Sequence, residues 1–170
     1  MNQRALSFIP AGAMLALLAA LPAQASTNKT ATFVVSLTVS SDCSISANPL
    51  PFGTATSALA VTALTHNTSL SVTCSSGTGY SLSLDQGTTT GSAITSRLMG
   101  GTGSNTQTVQ FQLYIDSGLS SVFGDGTNGS TVSGTGTGSA VTVPIYGQVP
   151  AQPIPAADSY STTETATITF

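Results

Sequence analysis

Charge is scarce in this chain of 170 residues: three basic and six acidic side chains, 5% of the total, with one histidine and two cysteines beside them. Beyond Arg4, the basic residues are Lys29 and Arg97. They stand against Asp42, Asp85, Asp116, Asp125, Asp158 and Glu164, two minus six, or −4. No basic patch can form, which excludes nucleic acid as a natural partner, because phosphate binding needs clustered lysine and arginine. A surface of Ser, Thr and Gly has little self-repulsion and suits a protein that associates. The lone His66 sits in THNTS and reads as polar surface at a turn or strand start. No G-x-S-x-G elbow supports a serine hydrolase. The carboxylates are scattered at turn positions, where a glycosidase would need a facing pair. Gly134–Gly138 superficially resembles a phosphate loop but lacks the lysine and the following helix. Asp125-Gly126 offers one oxygen ligand where calcium needs many, so it reads as a turn. Asn28, Asn67 and Asn128 stand in N-x-S/T triplets, which arise by chance in so Ser/Thr-rich a chain. These absences point to no catalytic residue, no cofactor and no metal ligand.

Long apolar runs are also missing. Ala11–Leu21 is the longest, short of the roughly 20 residues a membrane-spanning helix needs. With Arg4 before it and Ala23-Gln24-Ala25 after it, the run reads as a secretion signal over residues 1–25, leaving a mature chain from Ser26. In a secreted chain, Cys43 and Cys74 most simply form one disulfide, worth about 3–4 kcal/mol in the chain-entropy model. Two buried free thiols are the alternative.

Helical spacing is absent after the signal; alternation with a period of two is common. Phe33, Val35, Leu37 and Val39 share one face of an expected strand. Leu70, Val72 and Cys74 form a second stripe, and Tyr80, Leu82 and Leu84 a third. Val109, Phe111, Leu113 and Ile115 form another. Val141, Val143 and Ile145 follow, with Pro144 marking an edge, a bulge or a strand end. Ala166, Ile168 and Phe170 close the series. Gly87–Gly103 and Gly124–Ser139 read as surface loops or a hairpin. About seven strands with frequent turns predict an all-β sandwich in one domain. Arg97, the only arginine after Arg4, is expected in an ion pair or in strand-end hydrogen bonds. The segment Thr165–Phe170 reads as an edge strand without the charge, proline or bulge that usually guards an edge.

Several stretches in order along the chain resemble one family. They are FVVSLTVSSDC, LPFG at Leu50–Gly53, SLSVTC, SRLMG, VQFQLYID, FGDG, VPIYGQVPAQ and the closing Tyr160…TATITF. Together they resemble the spore coat protein U domain and the major subunits of archaic chaperone-usher pili. Ala156–Ser159 departs from the glycine and acid common there, and the loop Thr127–Ser139 is unusually rich in glycine. The resemblance implies an incomplete immunoglobulin-like β-sandwich of six to seven strands, lacking its last. It is completed by donor-strand complementation, a form of β-augmentation. It implies a donor extension over residues 26–42 and a pilin domain over 43–170. Phe33, Val35, Leu37 and Val39 would insert. Thr163–Phe170, with Ala166, Ile168 and Phe170, and the strand starting near Cys43 would border the acceptor groove. Cys43 and Cys74 match the family's disulfide. The partners implied are other copies of the chain, a periplasmic chaperone, an outer-membrane usher and, at a fibre end, a tip adhesin. The function implied is a structural subunit of a surface fibre of a Gram-negative bacterium, serving adhesion and biofilm. The alternative is a spore or cyst coat, or a surface-binding module, without a fibre.

Overall fold

The computed structural model describes residues 24–170. The expected secretion signal falls almost wholly outside them. The chain divides after Leu37 into two units. Among the described residues no helix is long and apolar enough to cross a membrane.

In the first unit the residues from 24 onward carry no helix or strand, and this continues to Asp42. The strand expected over Thr30–Ser40 is therefore not formed. An extended chain becomes a strand only when its N–H and C=O groups find a ladder partner, and isolated strands are unstable in water.

The second unit contains nine strands: β1 Cys43–Ala47, β2 Leu64–Cys74, β3 Gly79–Leu84, β4 Arg97–Gly101, β5 Thr108–Tyr114, β6 Val132–Thr135, β7 Ala140–Val149, β8 Tyr160–Ser161 and β9 Ala166–Thr169. A single 3-10 turn, Ser57–Ala60, is capped by the Thr56 hydroxyl, which accepts from the Ala58 amide. Six strands form one sheet in the order β1-β2-β7-β5-β4-β8, and three form another in the order β6-β3-β9. All pairings between them are antiparallel.

The alternation read from the sequence sets which faces meet. Leu70, Val72 and Cys74 of β2, Val143, Ile145 and Val149 of β7, and Val109, Phe111 and Leu113 of β5 are buried from the large sheet. Tyr80, Leu82 and Leu84 of β3 oppose them, with Ala166 and Ile168 of β9 and Val132 of β6 packed alongside. Serines and threonines occupy the intervening positions of β2 and β3, so each strand has one apolar face.

Three expectations need correction or refinement. Gly87–Gly103 and Gly124–Ser139 are not loops throughout, since they contain β4 and β6. Their glycine and serine content masks strands that gain ladder bonds from tertiary neighbours rather than from propensity. Pro144 lies inside β7, which has β2 on one side along its length. However, β5 reaches β7 only at Tyr146–Gln148, so at Pro144 the strand is locally an edge and the missing N–H is no loss. Finally, β9 stops at Thr169, and Phe170 is 56% exposed.

Candidate functional site

β1 and β9 are edge strands of different sheets. Each has one ladder partner, β2 for β1 and β3 for β9, so each leaves a row of backbone groups unpaired on its other side. Beside them a cleft of about 370 Å³ is walled by Ala47–Leu50 and Phe52 on one side and by Tyr160–Glu164 and Ala166 on the other. Its floor is the core itself: Leu70, Leu84, Phe111, Leu113 and Ile145 line it. A wider cleft of about 770 Å³ lies along Leu50–Ser57 and Ile154–Tyr160 and shares Leu50, Phe52, Met99 and Tyr160 as walls. Phe52 packs edge-on against Phe111, with ring centroids 6.2 Å apart. An apolar groove that opens onto core side chains is unusual in a finished domain.

The wall Tyr160–Ala166 crosses from the large sheet, where β8 pairs with β4, to the small sheet, where β9 pairs with β3. It crosses at Glu164, over the fully buried Arg97. The Arg97 Nε donates to Glu164 Oε2 at 3.0 Å. One Nη donates to the Ile94 carbonyl at 3.0 Å and to Gln112 Oε1 at 2.7 Å. The other donates to the carbonyls of Asp85 at 2.6 Å and Phe123 at 2.9 Å. All five guanidinium N–H groups are thereby used, the condition for burying this side chain. Both expected roles of Arg97, ion pair and strand-end donor to the backbone, are filled at once, by a residue that opens β4 and is buried in the core.

Burial pushes the Glu164 carboxyl above its ordinary value, although the Arg97 charge and hydrogen bond pull the other way. Its second oxygen, Oε1, is buried and has no partner among the described residues. That oxygen packs on Gly87, where φ is +80° and a Cβ would collide with it and with Thr162 Oγ1. Asp85 holds the crossing from the other side. Its Oδ1 accepts the amides of Thr165 at 2.8 Å and Gly87 at 3.0 Å. Partial burial raises the Asp85 carboxyl, but the Thr165 and Gly87 hydrogen bonds and the Arg97 charge outweigh that, and the net shift is downward.

The departure at Ala156–Ser159 keeps a working acid. Asp158 accepts the Gly103 amide at 3.2 Å and the Ser159 amide at 2.8 Å. The Tyr160 hydroxyl donates to the Ala156 carbonyl at 2.7 Å and accepts from Asn105.

Cys43 and Cys74 form a disulfide across the first rung of the β1–β2 ladder. Of the residues expected to border the groove, Ala166 lines the cleft and Ile168 is half-buried in β9. Phe33, Val35, Leu37 and Val39 are 76–88% exposed. Leu50, Phe52 and Glu164 carry more of the cleft than the sequence suggested. For Glu164 a signal was there: it is the only glutamate and shares the inward phase of Ala166 and Ile168. Among the described residues no group of His, Cys, Asp and Glu could hold a metal.

What the geometry defines is an all-β sandwich with an open apolar groove. The family model described as Spore Coat Protein U domain matches residues 29–169, so the chain belongs to that family, one of structural subunits rather than enzymes. No curated protein matches the sequence. Among solved structures, the chain is similar to one in the crystal structure of the CsuC-CsuE chaperone-tip adhesion subunit pre-assembly complex from archaic chaperone-usher Csu pili of Acinetobacter baumannii. Identity is 17% and the TM-score 0.56, with 78% of this chain and 41% of that one covered, a likeness of fold. The chain thus spans less than half the length of that neighbour.

Proposed function

We propose that the chain is a secreted subunit of a chaperone-usher pilus that polymerises by donating residues 30–40 to the groove of the next copy. The observation that carries this reading is the cleft between Ala47–Phe52 and Tyr160–Ala166, floored by the core. Its counterpart is an apolar stripe, Phe33, Val35, Leu37 and Val39, that is largely exposed to solvent. The chemistry matches: an edge row on β9, another on β1, and a segment with period-two apolar side chains and unpaired backbone. Burying the four side chains contributes roughly 6–12 kcal/mol at about 1.5–3 each. The contact joins two different surfaces, so it propagates head to tail and does not close.

In this reading residues 1–25 are removed on export, 26–42 form the donor extension and 43–170 the acceptor domain. A periplasmic chaperone holds the groove until an outer-membrane usher exchanges it for the donor, and the fibre reaches the cell surface, where it serves adhesion and biofilm. The fold likeness to a chain in a chaperone–subunit complex supports the chaperone among these partners. The family's name favours a coat without a fibre as the second reading. Expression with a cognate chaperone and usher tests both: the fibre reading expects an SDS-resistant, heat-sensitive ladder that disappears on deletion of residues 26–40. A ladder that survives the deletion refutes the donor assignment, and a wild-type chain without a ladder favours the coat.

A further inference from the structure

Ser40–Asp42 join the exposed stripe to β1, and they are tied down at one point. Asp42 and Ser75 extend the β1–β2 ladder by a rung beyond the disulfide, with the Ser75 amide donating to the Asp42 carbonyl at 2.9 Å. The Asp42 amide donates to Ser75 Oγ at 3.2 Å. Ser75 Oγ in turn lies 3.4 Å from the carbonyls of Ser40 and of Asp42. The turn that carries Ser75 is itself closed. Thr78 donates to the Ser75 carbonyl at 3.1 Å, Gly77 to the Gly136 carbonyl at 2.9 Å, and Gly136 to the Thr78 carbonyl at 2.7 Å. A Cβ at Gly136 would lie 2.7 Å from the Cys74 Cβ, so the two turns are in close backbone contact.

We propose that Ser75 anchors the root of the donor segment and so sets the stiffness of the joint between successive subunits. This rests on the donor-strand reading above. Val39 is the last residue of the inserting stripe and Ser40 the first that Ser75 holds. Neighbouring Cα atoms are 3.8 Å apart, so no free residue separates the next subunit's groove from this domain. Without the Ser75 hydroxyl, Ser40 and Ser41 become two loose residues, a length of up to about 7 Å that swivels as a coil, while the Ser75 amide still holds the Asp42 carbonyl. The anchor is a positioning device: it makes no contact with the inserting side chains and leaves the strength of the strand contact unchanged.

The test uses polymers of the full mature chain, imaged by electron microscopy, with the angle between successive subunits measured alongside the SDS ladder. Ser75→Ala is expected to broaden the angle distribution by roughly twofold while the ladder melts at the wild-type temperature. Ser75→Thr, which keeps the hydroxyl, is expected to restore the narrow distribution. Two glycines inserted between Val39 and Ser40 supply the same slack without touching Ser75, and decide the matter if Ser75→Ala does not fold. An angle distribution unchanged by the insertion, or by a folded Ser75→Ala chain, overturns the proposal. A ladder weakened in parallel with the angles shows that Ser75 supports the fold or the strand contact and also overturns it. A wild-type chain that forms no polymer overturns the fibre reading and the anchor with it.

Discussion

Replacing Arg97 by lysine is the sharpest probe of the buried polar cluster. The guanidinium serves five acceptors: Glu164 Oε2, Gln112 Oε1 and the carbonyls of Ile94, Asp85 and Phe123. An ammonium has three N–H groups on one nitrogen and cannot span them. At least two acceptors lose their donor in a site with no solvent exposure. A buried orphan costs about 1–3 kcal/mol, so the loss is about 2–6 kcal/mol, against a total stability of about 5–15 kcal/mol. With a urea m-value near 2 kcal/mol/M, the unfolding midpoint of the disulfide-intact chain falls by about 1–3 M. Arg97→Met leaves the Glu164 charge without a counter-ion and costs about 3–5 kcal/mol. Adding Glu164→Gln to Arg97→Met recovers part of that loss, because the stranded charge is gone. A midpoint for Arg97→Lys within about 0.2 M of wild type refutes the idea that this side chain holds the crossing strand.

Leu37→Asp, at an exposed position, is expected to leave the unfolding free energy in urea within about 0.5 kcal/mol of wild type while abolishing the SDS ladder; an intact ladder contradicts the insertion of Leu37. Gly87→Ala combines a left-handed φ with a collision at Glu164, so a loss of at least about 1 kcal/mol is expected in urea denaturation, and a neutral result removes the close packing of that carboxylate. Acid titration of stability separates two carboxyls. The folded Asp85 carboxyl lies below its ordinary value, so its contribution is complete above that value and is lost as pH falls through the lowered one; Asp85→Asn should flatten the acid limb of the midpoint-versus-pH curve. Glu164 has the opposite sign: it favours the fold while protonated and loses that contribution as pH rises through its raised value, so Glu164→Gln should flatten a decline above the ordinary glutamate range.

The apolar stripes of β2, β3, β5 and β7 were legible in the sequence because a period of two forces alternate side chains onto one face. β4 and β6 were hidden. Met99-Gly100-Gly101 and Ser133-Gly134 have little strand propensity, and their ladders come from β5 and β3. At Gly134 the absence of a side chain is itself the reason, since a Cβ would overlap the Tyr80 ring. The expected Thr30–Ser40 strand failed for the opposite cause, a strong local pattern without a ladder partner. Arg97 drew notice as a lone arginine, but its burial follows from the nearby Ile94 carbonyl together with three carbonyl-type oxygens and a carboxylate 12 to 67 residues away, which no local pattern encodes. The β9 edge could be read through the alternation of Ala166 and Ile168, and a strand starting near Cys43 was expected opposite it. Leu50 and Phe52 could not be read as cleft walls, because they lie in a segment with neither helical nor strand period.

The position of the Cys43–Cys74 bridge bears on how a fibre would carry tension. Pulling along such a fibre enters each copy through Val39 and Ser40, at the head of a five-residue strand held by a single neighbour. Hydrogen bonds loaded one after another at an edge would unzip under modest force. The covalent link three residues further on passes the load directly to Cys74, the end of the eleven-residue β2, which is paired along most of its length with β7. Tension then shears a long interior strand instead of peeling a short outer one, and extension should remain reversible until the bridge is reduced.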